Sequence, residues 1–303
     1  MSAPIATSST PTSQIQQGVV FALLGTALFS IKPVLIKLAY ALGGDATSIM
    51  SLRALSSLPV YLVILVWLCR DLDNRKLTVR YGWQAATVGV LGYYFASLLD
   101  IMALEHISAQ LERLLIFLFP SFVVLISWVF LKEKATKSTL LSIGLGYFGV
   151  ALIVSHDFKQ LGGNVLFGSG LAVASALTFA VYLILSKQLI NKLGSSLFTS
   201  IGMGSAGVAI VIQHFWMQAD FSSMSNELIL LGIAIGIFCT VLPSYFVAAA
   251  MARLTPTMVG VTSNIGPVVT SIFAVTLLGE VFTVYHAIGM VLVVYAVVGI
   301  KSR

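Results

Sequence analysis

Five ionisable residues, Lys32, Arg53, Asp100, Glu112 and Arg113, stand inside long apolar stretches of this chain, and chemistry could occur there. A charge in such a setting is costly, faces a partner or a cavity, and marks a binding site or an ion path. Three cations against two anions leave a net charge of +1, which suits a carboxylate or a zwitterion. A guanidinium offers a carboxylate a planar fork. Arg53 or Arg113 is therefore the expected anchor, with Glu112 or Asp100 facing an ammonium. The same groups could instead pair with one another, holding the first helices together or closing an outer gate. Lys37 lies close enough to a helix end to snorkel and is set apart.

Helical spacing gives these residues faces. Ala109, Glu112, Arg113, Ile116, Phe117 and Pro120 follow an i, i+3, i+4 pattern. Glu112 and Arg113 are adjacent and about 100° apart around a helix, so at most one is expected to meet a substrate. Gly89, Tyr93, Ser97 and Asp100 share another face, and Phe29, Phe179 and Tyr182 add aromatic surface. Pro120 and Pro267 remove helical hydrogen bonds and predict kinks, expected to serve as hinges. Other chemistry has little support. His106, His156, His214 and His286 fall at span ends or in loops without ligand spacing, so no metal site is expected. Cys69 and Cys239 form neither a disulfide framework nor a metal pair. There is no phosphate-cradling Gly loop with Lys and Ser/Thr and no nucleophile elbow. No cofactor and no enzymatic activity is expected.

The elements that must position these groups need lipid as solvent. The chain is 58% hydrophobic and 9% charged, with a mean hydropathy of +1.00, values that do not fit a soluble surface. A spanning helix takes roughly 20 apolar residues. Such stretches occur at 18–39, 46–68, 82–104, 108–131, 138–155, 165–186, 196–216, 227–250, 256–278 and 283–300. The loops on one side carry twelve Lys and Arg, and those on the other carry only Lys159. That asymmetry predicts cytoplasmic termini and accounts for the basic charge without a nucleic acid partner. Residues 1–16, rich in Ser, Thr, Pro and Gln and free of Lys and Arg, read as a disordered cytoplasmic tail rather than a secretory signal.

The chain also matches itself. At an offset of 147, Gly89 falls on Gly236, Ser108 on Thr255, Pro120 on Pro267 and Glu133 on Glu280. At an offset of 150, Gly18 falls on Gly168, Phe29 on Phe179 and Lys37 on Lys187. The first offset places Ser244 opposite Ser97, and Ser263 and Asn264 opposite Ile116 and Phe117, which adds them to the candidate lining. Each unit, 17–155 and 165–303, holds five helices. An odd number makes the second unit inverted relative to the first. The expected fold is an all-α integral membrane protein of ten transmembrane helices in two inverted five-helix repeats.

These residues resemble the EamA-type repeat of the drug/metabolite transporter superfamily over nearly the whole chain. The strongest match is ALEHISAQLERLLIFLFPSFVVLISWVFLKEKATKSTLLSIGLGYFGVALI at 103–153, with its proline, loop Glu133 and Gly-rich fifth helix. The resemblance implies a ten-helix carrier with a central cavity lined by helices 1, 3, 4, 6, 8 and 9, and with helices 5 and 10 peripheral. It also implies a secondary transporter of the inner (plasma) membrane that exports amino acids or similar metabolites by alternating access. A carrier of phosphorylated or nucleotide-linked sugars is the alternative, as is a membrane protein that transports nothing. The expected partners are the bilayer and a zwitterionic or anionic small molecule. Proton antiport through Glu112 or Asp100 and uniport both stay open.

Overall fold

A computed structural model describes residues 11–130, 136–216 and 224–299; the side chains of residues 11, 12, 159–161, 264 and 297–299 lie outside the description. Among the described residues the chain is helical, without strands. Ten helical stretches follow the expected order. They are α1 (Pro11–Ala41), α2 (Ala46–Leu68), α3 (Leu72–His106), α4 (Ala109–Phe130) and α5 (Lys137–Leu161). The second five are α6 (Asn164–Leu193), α7 (Ser195–Trp216), α8 (Asn226–Arg253), α9 (Pro256–Leu278) and α10 (Val284–Gly299). The first nine are long and apolar enough to cross a membrane, and α10 is apolar but shorter over the described residues.

Two boundaries differ from the sequence reading. Helix α1 already includes residues 11–16, which the sequence reading placed in the tail. Helix α3 begins at Leu72, well before its apolar stretch, because the Asp71 side chain accepts from the Asp73 N–H and starts the helix in polar sequence. The remainder of the expected tail, residues 1–10, lies outside the described residues, as do Glu133 and its neighbours.

The outer faces are apolar. Val63, Val66, Phe148, Ile212, Leu230 and Ile272 are exposed, as lipid contact requires. Exposed Trp67, Trp128 and Trp216 stand near the ends of α2, α4 and α7, where an aromatic belt meets headgroups. Small residues bring the helices together. Gly89 of α3 lies against the Gly202 backbone of α7, and Gly236 of α8 against Arg53 and Ser56 of α2. Helices α5 and α10 pair at the periphery through Gly149 and Gly289.

Charged side chains satisfy helix ends that lipid could not. Lys37 of α1 donates to the Leu104 carbonyl near the end of α3 at 2.9 Å; it is a tether between helices rather than a snorkelling group. Lys187 of α6 donates to the Met251 carbonyl and, at 3.0 Å, to that of Leu254 at the end of α8. Glu280, in the turn before α10, accepts from the Ala109 and Gln110 N–H groups at 2.7 and 3.2 Å and caps α4.

Helix interruptions recur at a fixed spacing. Residues Val90–Phe95 of α3 and Ile237–Val241 of α8 form π turns whose first residues are 147 apart. Helix α4 breaks at Phe117 and Leu118, and α9 tightens to a 3-10 turn over Ser263–Ile265. Each break lies just before the expected proline. Pro120 lacks an N–H for the Ile116 carbonyl and Pro267 lacks one for that of Ser263.

Candidate functional site

The π turns and proline breaks surround one cavity between α1, α2, α3, α4, α6, α8 and α9. Measured to the centres of water-sized spheres, it holds about 100 Å3. On that measure a water needs roughly 10–15 Å3, so the space holds several waters or a small solute. Lys32, Arg53, Tyr93, Ser97, Asp100, Glu112, Arg113, Phe117 and Ser263 all line it. The five charges expected to carry chemistry therefore converge, although they come from four helices.

Their positions follow from local geometry. Lys32 reaches from α1 to Asp100 on α3, with Nζ 2.6 Å from Oδ2. The Arg53 Nη1 donates to Ser97 Oγ at 2.5 Å, joining α2 to α3. The Arg113 Nη2 donates to Ser30 Oγ at 3.2 Å, joining α4 to α1, while its guanidinium lies over the Phe117 ring at 5.1 Å. Gly266 gives this arrangement room, since a Cβ there would press into Phe117 and the end of Arg113. Glu112 and Asp100 bring their carboxyls together from α4 and α3. Arg53, Asp100, Glu112 and Arg113 are buried.

The two halves meet here through neutral hydrogen bonds. Thr26 Oγ1 donates to Ser263 Oγ at 2.7 Å, and Thr270 Oγ1 to the Ser30 carbonyl at 2.6 Å. Three buried polar atoms on the cavity residues find no hydrogen-bond partner among the described residues: Asp100 Oδ1, Glu112 Oε2 and Arg113 Nε. Buried polar atoms are ordinarily paired, so the lining residues carry an anionic and a cationic edge whose bonding the described residues leave incomplete.

Some expected residues are placed otherwise. Glu112 and Arg113 both line the cavity, where the expectation was that at most one meets a substrate. Their Cβ atoms do diverge, but the cavity wraps around the first turns of α4, so Glu112 turns to α3 and Arg113 to α1. Tyr182 stands behind the lining, edge-on to Tyr93 at 5.2 Å and stacked on Phe179 at 5.6 Å. Ser244 also stands outside it, bonded to Tyr61 Oη at 2.9 Å and to the Val241 carbonyl. The Asn264 side chain lies outside the described residues. Thr240, which the 147 offset sets opposite Tyr93, lines the cavity, and the sequence reading missed Thr26 and Ser175. Their only signal was a small polar side chain on an otherwise apolar helix.

Away from the cavity, His156, Asp157 and His286 come together at the ends of α5 and α10. Sequence spacing could not pair them, because His286 lies 129 positions beyond Asp157, while the packing of α5 on α10 closes that gap.

The EamA-like transporter family model matches residues 16–155 and 166–302. An uncharacterised transporter of Bacillus subtilis, YcbK, is 25% identical over 94% of this chain and 93% of its own length. An uncharacterised transporter of Vibrio cholerae is 28% identical over 97% and 96%. The protein RarD of Escherichia coli is 27% identical over 88% of each. A solved crystal structure superposes with a TM-score of 0.68 at 16% identity, covering 94% of this chain and 96% of that one, which shows the shared fold.

Proposed function

The chain belongs to the EamA-like transporter family and is a multi-pass membrane transporter, and from that premise we propose that it is a secondary carrier exporting amino acids or similar small metabolites from the cytoplasm by alternating access. The observation that carries this reading is the cavity itself. It places guanidinium and ammonium groups beside carboxyls, leaving Arg113 Nε, Asp100 Oδ1 and Glu112 Oε2 without protein partners among the described residues. A zwitterion could satisfy both edges at once, its carboxylate on Arg113 and its ammonium on the acids.

Size favours this class over nucleotide-linked sugars, because a cavity of about 100 Å3 admits small solutes. If Asp100 and Glu112 share a proton, the lining carries +2, and otherwise +1. Substrate binding that draws that proton away, or requires it, is the chemical basis we propose for proton coupling. The loop charges support cytoplasmic termini in a plasma membrane. The paired π turns, the paired breaks and the paired lysine tethers support two halves related by inversion.

Uptake and counterflow in proteoliposomes, against amino acids, sugars and phosphorylated metabolites at two pH values, tests the function. Saturable flux of a zwitterion is expected. Movement of a phosphorylated compound alone would overturn the substrate class. Arg113→Ala should weaken apparent affinity about ten- to a hundredfold, the loss of bonds to a charged group.

We propose Pro120 and Pro267 as hinges. In the same assay Pro120→Ala and Pro267→Ala should slow turnover while leaving expression intact, since the restored N–H permits a straighter, stiffer helix. Unchanged turnover in both variants would remove the hinge role.

A further inference from the structure

We propose that His156, Asp157 and His286 form a three-ligand site for a divalent transition-metal ion of the zinc class, which staples the end of α5 to the beginning of α10. The three donor atoms lie within 4.8 Å of one another. Asp157 Oδ1 stands 3.0 Å from His156 Nδ1 and 3.7 Å from His286 Nε2. Tetrahedral zinc with bonds of 2.0–2.1 Å has ligand-to-ligand edges of roughly 3.3–3.4 Å. The two observed separations bracket that value, and the two imidazole nitrogens lie within 4.8 Å of each other.

The surroundings are those of a ligand set. Thr283 Oγ1 lies 2.7 Å from His286 Nδ1. If His286 donates that bond, the Nε2 lone pair is left for a metal, the outer-shell arrangement that fixes a liganding imidazole. The His156 ring is stacked on Tyr285 at 4.5 Å, which holds its plane. Asp157 and His286 are each 5% exposed, and the ion-pair neighbours of Asp157 among the described residues are these two imidazoles. Asp157 is buried between the two imidazoles, and a dication there would compensate the charge of the carboxylate. Two imidazoles with one carboxylate select zinc-class ions over Mg2+ or Ca2+, which prefer all-oxygen sites. His156 is only partly buried, so water can complete the coordination.

The site lies on the peripheral helix pair, away from the cavity lining, and is independent of the transport reading. The test is Zn2+ binding to the purified, chelator-stripped full chain, followed by equilibrium dialysis and by the shift in unfolding midpoint. One Zn2+ per chain with a raised midpoint is expected, with no shift from Mg2+. His156→Ala and Asp157→Asn should each weaken binding at least about tenfold, and Thr283→Val should weaken it about ten- to a hundredfold as an outer-shell change. The His156 side chain is 18% exposed against 7% for Asp157, so its alanine variant keeps the measurement available if the Asp157 variant does not fold. A chain that retains no Zn2+ would overturn the proposal. So would Zn2+ bound equally by wild type and His156→Ala, since the ion would then sit elsewhere.

Discussion

Asp100→Ala is expected to destabilise the folded chain by about 3–5 kcal/mol, the cost of leaving one member of a buried ion pair without the other. The Lys32 ammonium, 2.6 Å from Asp100 Oδ2 and with its side chain 14% exposed, would remain in an apolar bundle with no counter-charge at that distance. Unfolding in detergent should show a lowered midpoint. The double variant Lys32→Met, Asp100→Leu removes both charges at similar volume and should recover most of the lost stability, as apolar replacements of buried pairs often do. That recovery separates the two roles left open by the sequence. A stable double variant without flux assigns the pair to the substrate or its proton, and a stable double variant with normal flux assigns it to helix packing. If the double variant is as unstable as Asp100→Ala, the ion-pair account of this contact is wrong.

The second large effect is expected at Gly89. A Cβ there would overlap the Gly202 backbone, so α3 and α7 meet backbone to backbone. Membrane helices associate through such packing rather than through a hydrophobic drive, and the obstacle is main chain, which cannot rotate aside. Gly89→Leu should therefore exceed the roughly 1–3 kcal/mol typical of overpacking and sharply reduce the yield of folded protein. Gly144→Leu is the control, since a Cβ at Gly144 meets nothing within 4 Å. Equal stability of the two variants would show that α3 and α7 can separate at little cost.

The ten helices were legible because lipid imposes its length requirement on each of them separately, and every stretch announces itself in local composition. The convergence of Lys32, Arg53, Asp100, Glu112 and Arg113 was legible for a related reason, since charge is tolerated in a span only where it meets a partner or a cavity. Pro120 and Pro267 located the breaks because the missing N–H acts four residues back. The π turns could not be read, because nothing in VLGYYF or IFCTV requires an extra residue in the turn; tertiary packing decides it. Tyr182 and Ser244 were misplaced because periodicity gives a face and not a depth. Both face inward, yet each is occupied by a tyrosine partner, Tyr93 or Tyr61. Glu112 and Arg113 show the converse. Angular separation at Cβ does not bar two long side chains from one wall when the wall is curved.

Glu280 closes the bundle end at which α4 begins, and it does so with a charge, whereas the contacts joining α1 to α9 in the interior are neutral hydroxyl bonds. Bonds to a charged group are worth about 1.5–3 kcal/mol each and neutral ones about 1. An interior joined by neutral bonds would exchange partners at little expense in free energy if the halves rock as the proposed mechanism requires. Separating Glu280 from two N–H groups weights the closed arrangement of that end by at least about 3 kcal/mol, roughly a hundredfold in population. Under the alternating access proposed above, opening at that end would be a minority event unless a bound solute compensates, an imbalance that accessibility labelling around Glu280 would read as slow, solute-dependent modification.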